Sequence, residues 1–216
     1  MSTARARVNR RTLFAGSGAL ALAASVFGVA PGSAGAKVGY DRTKAVTWAR
    51  GRVYDDPDPI KFDNNCTWYV SKVLWVGGLP QDADWTSSSP DPTKWASKWT
   101  DQGPTKTAAH ADSLKNHLIN KKYASIRELN WRQNDVPDAQ IGDVIGYDWD
   151  NGADGYIDHL MVVTGFSGKY PLVSGHSLPR LDAGWTWSDK ANDWIERAYT
   201  SPTGNPPRAY LLHINT

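Results

Sequence analysis

Cys66 is the one cysteine of this 216-residue chain, and it lies where the polar turn Asp63-Asn64-Asn65 runs into an amphipathic stretch with helical spacing. A thiol at a helix N-terminus faces unpaired N–H groups and the positive end of the macrodipole, which favour the thiolate and can lower its pKa from about 8.5. Attack of sulfur on an amide carbonyl also needs a base, and His159 and His176 are the candidates. His159 opens an apolar run to Phe166 that reads as a strand, and Tyr170 to His176 reads as the next one. A hairpin closed by Ser167-Gly168 pairs Phe166 with Lys169 and sets His159 opposite His176, so that one imidazole orients the other. Cys66, His159 and His176 then form a triad for acyl transfer: nucleophile, base, and the polar group that fixes the tautomer of the base. On the residues alone the bland alternative, a buried structural cysteine with two unrelated histidines, stays open.

The elements that must hold these residues follow from spacing. Tyr40 to Arg50 reads as a first helix with Asp41 as N-cap, and Asp55-Asp56-Pro57-Asp58-Pro59 as a turn. A second helix begins at Asn65 or Cys66, buries Cys66, Tyr69, Val70, Val73 and Leu74 at i, i+3, i+4 spacing, and ends at Gly77-Gly78. Asp82 to Pro104, rich in Ser, Pro, Asp and Trp, reads as an ordered surface insertion, and Ala108 to Lys121 as a third helix. Strands are expected at Ile141 to Tyr147, His159 to Phe166, Tyr170 to His176 and Arg208 to Ile214. Helices first and an antiparallel sheet afterwards make an α+β domain.

The first 36 residues read as an export signal: Arg5, Arg7, Arg10 and Arg11 precede an Ala/Gly-rich apolar run, and Ala34-Gly35-Ala36 is a small-residue cleavage site. Asn9-Arg10-Arg11-Thr12-Leu13-Phe14 resembles a twin-arginine signal. A secreted mature domain, 37–216, is expected. Without the four leader arginines, 20 of the 24 basic residues remain against 22 acidic ones, a net charge of −2. That balance gives no warrant for nucleic-acid or membrane-surface binding. One cysteine excludes an internal disulfide. A monomer without cofactor is expected.

Several ordered motifs carry a family resemblance. Ala45-Val46-Thr47-Trp48-Ala49, Asn65 to Ser71 around Cys66, Gly77-Gly78-Leu79-Pro80, Ile141 to Ile145, Ile157-Asp158-His159 and Val173 to Ser177 are similar to the secreted amidase-like domains of actinobacteria and other Gram-positive bacteria. That family resembles the papain-like class that includes NlpC-like and CHAP-like cell-wall peptidases. The resemblance implies a papain-like α+β fold, a cysteine opening a helix packed on a small sheet, a histidine from a strand and a third polar residue on the next strand. Those positions match Cys66, His159 and His176. The family carries an aspartate just before the cysteine and an asparagine with a phenylalanine soon after it, where this chain has Asn65, Trp68 and Tyr69.

The implied activity is hydrolysis of peptide amide bonds through an acyl-thioester, with bacterial peptidoglycan stem peptides as substrate. Asn65, Trp68, Trp149 and Asp158 are candidate substrate contacts, and the backbone N–H of Cys66 is the first oxyanion donor. A transacylase using the same thioester, and a non-catalytic module gripping glycan or peptide, are the alternatives. Asp148, Asp150, Asn151, Asp154 and Asp158 suggest a calcium loop but lack EF-hand spacing and read better as a hairpin loop, so no metal site is expected. Most of the 11 tryptophans are expected in the core, with Trp68, Trp95, Trp149, Trp185 and Trp187 nearest the cleft. His110, His117 and His213 read as surface or structural residues.

Overall fold

The computed structural model describes residues 39–55, 58, 60, 62–130, 133–149, 156–188, 193–194 and 207–215, all within the unit Lys37–Thr216. Helix α1 (Arg42–Gly51) starts on Asp41, whose carboxylate accepts the Lys44 N–H at 2.9 Å. Helix α2 (Cys66–Gly77) ends on Gly78, whose backbone is left-handed (φ 112) and whose N–H closes the last turn on Leu74 and Trp75. A side chain there would be strained and would also meet the Gly39 carbonyl at 2.8 Å.

Where one helix was expected over 108–121 there are two, α3 (Lys106–Ala109) and α4 (Ala111–Asn120), broken at His110, which is extended at φ −116, ψ 127. Apolar spacing continues across the break, through Ala108, Ala111, Leu114 and Leu118, so periodicity could not reveal it. The insertion is ordered as expected. Bridges Ser89–Gly103 and Trp95–Thr105 close it, and Trp85 enters the core, where its Nε1 donates to Ser71 Oγ on α2 at 3.0 Å.

Strands β1 (Ala124–Glu128), β2 (Val144–Asp148), β3 (His159–Ser167), β4 (Tyr170–Gly175), β5 (Arg180–Gly184) and β8 (Arg208–Ile214) form one antiparallel sheet in the order β1-β8-β2-β3-β4-β5. A small ribbon, β6 (Trp187–Ser188) with β7 (Asp193–Trp194), stands apart from it. One face of the sheet, with Val144, Leu160, Val162 and Leu212, packs on α1, α2 and α4. The other, with Ile145, Tyr147, Met161 and Val163, encloses a second core with Val173 and Trp185. This is the expected α+β arrangement. Trp185, expected near the cleft, is instead fully buried in this second core and donates from Nε1 to the Asn134 carbonyl at 2.8 Å.

The β3–β4 hairpin corrects the expected register. Ser167 pairs with Tyr170, leaving Gly168-Lys169 as the loop, and a bulge between Val163 and Gly165 shifts the pairing again. Gly168 has φ 64, and the first loop position of a type II′ turn demands that sign, so glycine stands first in the loop rather than second. His159 is therefore not set opposite His176 across β3–β4. Its partner is Tyr147 on β2, while β4 ends at Gly175.

Candidate active site

Cys66 is the first residue of α2 and 5% exposed. Sγ lies 3.7 Å from the Thr67 hydroxyl. Burial pushes the thiol pKa up, and the N–H groups of Leu160, Thr67 and Cys66 itself, with that hydroxyl, only partly offset it. The helix N-terminus acts in the expected direction, but loss of water outweighs it, so Cys66 rests as a neutral thiol at pH 7. The Leu160 N–H faces the sulfur, which sets the thiol against the start of β3.

His159 is half-buried, its ring 6.0 Å from that of Tyr147 and 6.3 Å from that of Trp149. Its Nε2 is buried and makes no hydrogen bond among the described residues. Burial, helped by the charge of Arg180 and opposed by Asp158, lowers its pKa to about 4. Cys66 and His159 are thus both neutral at pH 7. The imidazole keeps a free nitrogen, which in native cores is rare and in need of explanation.

His176 has different partners from those its spacing suggested. Nδ1 accepts from Asn65 Nδ2 at 3.1 Å, Nε2–H donates to the Arg52 carbonyl at 3.0 Å, and the ring stacks on Tyr69 at 4.4 Å. The Asn65 N–H is taken by Ser177 Oγ at 3.2 Å. His176 and Ser177 thereby clamp the residue that precedes Cys66 and tie it to the end of α1. Asn65 is held by this clamp and is absent from the lining of the cleft in front of the thiol.

That cleft, of about 340 Å³, is lined by Phe62, Asp63, Asn64, Cys66, Thr67, Ala109, His110, Ala111 and Asp158. Of the expected substrate contacts only Asp158 belongs to it, and one of its oxygens accepts the Trp149 N–H at 2.8 Å. Trp68 is a core residue, 3% exposed, edge-on to Phe62 and Trp75, with Nε1 donating to Asp58 at 3.0 Å. Trp149 stacks on Tyr147 at 4.9 Å on the second face of the sheet. His110, read from sequence as a surface residue, is exposed but faces the same cleft as the thiol. No local signal marks it, since only the approach of the α3–α4 junction to α2 and to the 157–158 segment makes it part of the site. No cluster of His, Cys, Asp and Glu suited to a metal occurs among the described residues, and loop residues 150–155 lie outside them.

Comparison with known proteins adds the family. The chain is 30% identical over 160 residues to YhbB of Bacillus subtilis (strain 168), covering 69% of this chain and 45% of that protein. It is 26% identical over 126 residues to YjcM of the same organism, covering 56% of this chain and 26% of that one. Both are described as uncharacterized, and the chain spans less than half the length of either. No solved structure matches. The family described as "Putative amidase domain" matches residues 39–197, most of the chain and every candidate residue of the cleft, and the chain belongs to that amidase-like family.

Proposed function

We propose that the protein is a secreted, papain-like cysteine amidase that hydrolyses peptide amide bonds, with peptidoglycan stem peptides as its substrate. The observation that carries this reading is a thiol on the wall of a cleft, facing the Leu160 N–H at the start of β3, the strand that opens with His159, whose buried Nε2 has no partner among the described residues. Amidase-family membership supplies the bond type. The exported location and the wall substrate rest on the leader and on the family resemblance.

In this reading the attack is general-base catalysis from a neutral pair rather than from a standing ion pair. Cys66 attacks the carbonyl while His159 Nε2 takes the thiol proton, and a tetrahedral oxyanion forms. The Cys66 N–H, in the first helical turn where no intrahelical acceptor is available, is the first donor to that oxyanion. A substrate filling the cleft excludes water from the sulfur and makes each of these contacts stronger. His176 supports the site from the Cys66 side, by holding Asn65 and with it the first turn of α2, rather than by orienting His159.

The test is release of free amine from purified peptidoglycan peptides by the wild-type protein, Cys66→Ala and His159→Ala. Both variants are expected to keep the melting behaviour of the parent and to lose turnover. Turnover that survives Cys66→Ala would end the cysteine reading, and tight glycan or peptide binding indifferent to that change would point to a binding module.

A further inference from the structure

Along β3 the side chains alternate: Leu160 and Val162 turn to the helices, Met161 and Val163 to the second core, and the His159 ring lies with the latter, near Tyr147 and Trp149. What the ring packs on therefore decides where Nε2 points and how much water reaches it. Tyr147 is a fixed plate, fully buried, with its hydroxyl donating to the Trp185 carbonyl at 2.9 Å. Trp149 is only partly buried and follows the last ladder pair of β2, Asp148 with Arg208. Its ring stacks on Tyr147 at 4.9 Å with 14° between the planes, and its N–H is held by the Asp158 carboxylate at 2.8 Å. The Asp158 N–H in turn donates to the Tyr147 carbonyl at 2.8 Å. Asp158 thus braces both aromatic residues from the position next to His159, and it is also the residue that lines the thiol cleft.

From this arrangement, and resting on the cysteine amidase reading above, we infer that Asp158 is a positioning residue for His159: its carboxylate, by holding the Trp149 N–H, keeps the Trp149–Tyr147 stack beside the imidazole and so aims the base that serves Cys66. The competing role for a carboxylate on the cleft wall is direct contact with substrate. The brace is the better supported of the two, because the Asp158 backbone and side chain close one ring of bonds through Tyr147 and Trp149. The charged and titratable groups that act on the imidazole are Arg180 of β5, Asp158 and the phenol of Tyr147. Burial and the Arg180 charge disfavour the imidazolium, whereas the Asp158 charge favours it. Brace and charge therefore move the titration of the ring in opposite directions.

That opposition separates the roles. In the full chain, Asp158→Asn keeps an oxygen for the Trp149 N–H and loses the charge, while Asp158→Ala loses both. With a peptide amide as substrate, Asp158→Asn is expected to keep kcat within about threefold of the parent, and Asp158→Ala to lower it by about 10- to 100-fold with KM little changed. Histidine-ring NMR, with His159 assigned by the signal lost in His159→Gln, is expected to show the ring titrating no higher than about 4 in the parent and in Asp158→Asn, and moving towards 6.5 in Asp158→Ala as water enters. Where Asp158→Ala does not fold, Trp149→Leu, which keeps the N–H bond and loses the flat ring, carries the same expectation. A raised KM with an unmoved ring titration in either Asp158 variant would make the carboxylate a substrate contact. Unchanged kcat and titration in Asp158→Ala or Trp149→Leu would mean that the stack does not hold the base. Both results overturn the assignment and leave the cysteine reading intact, whereas turnover that survives Cys66→Ala overturns the reading beneath it.

Discussion

The two ends of the β2–β3 ladder carry buried polar groups of opposite character. At one end Asp143 is fully buried and saturated: it accepts from Arg42 Nη1 at 2.7 Å, His213 Nδ1 at 2.8 Å, the Gln140 N–H at 2.8 Å and the Ile214 N–H at 3.0 Å. This cluster ties the first turn of α1 to the start of β2 and the end of β8. At the other end, where Tyr147 pairs with His159, the imidazole nitrogen Nε2 has no partner among the described residues, and the thiol that faces the Leu160 N–H is held neutral by burial. A cluster that exists to hold the fold uses every lone pair, whereas a site that awaits a substrate leaves capacity unspent.

The largest expected effect comes from emptying the unsaturated end. His159→Ala should lower turnover by at least about 1,000-fold with little change in thermal stability, which steady-state kinetics and a melting curve check together. The opposite pattern is expected at the saturated end. Asp143→Ala leaves the Arg42 guanidinium without its carboxylate and should cost about 3 to 5 kcal/mol in denaturant unfolding, while kcat per folded molecule is maintained. If Asp143→Ala removed activity from molecules that remain folded, the contrast between the two ends would collapse.

The pH dependence sharpens the same contrast. An unfolded chain protonates His159 near 6.5 and the folded protein only near 4, so between these values the unfolded state holds more protons and stability falls as pH is lowered. The expected loss is at most about 3 kcal/mol from pH 7 to 4. It should shrink in His159→Gln, as urea titrations at a series of pH values would show. A parent and variant with parallel profiles would mean that the ring is not held neutral by its surroundings. The smallest effect is expected at the clamp: His176→Ala leaves Asn65 Nδ2 and the Arg52 carbonyl short of a partner, at about 1 to 3 kcal/mol, with a modest fall in kcat as the first turn of α2 loosens.

What could be read from sequence follows the range of the interactions involved. The start of α2 at Cys66, its glycine stop, the N-cap of α1 and the strand of His159 depend on local spacing and capping, and they stand where spacing put them. The hairpin register failed because it turned on which residue of Ser167-Gly168-Lys169 takes positive φ, which moves each pairing by two residues, and because the bulge between Val163 and Gly165 moves it back by one. Trp68 followed the apolar face of α2 into the core, and an indole paired with Asp58 there resembles, in sequence, one that waits for a sugar. His110 was hidden for a different reason. Its place on the cleft wall rests wholly on tertiary proximity, and the apolar spacing around it continues as if the helix were unbroken. The thiol's resting state was likewise out of reach, because helix position is local whereas the burial that overrides it is not.

The most direct test of the central claim is to trap the acyl group. The protein is mixed with an activated ester of a short peptide acid, quenched in acid within the first turnovers, and analysed by intact mass and peptide mapping. The account predicts one added acyl mass on the peptide containing Cys66, abolished in Cys66→Ala and slowed in His159→Ala. An acyl mass on another residue, or ester turnover with no adduct in the parent and no loss in Cys66→Ala, would contradict it.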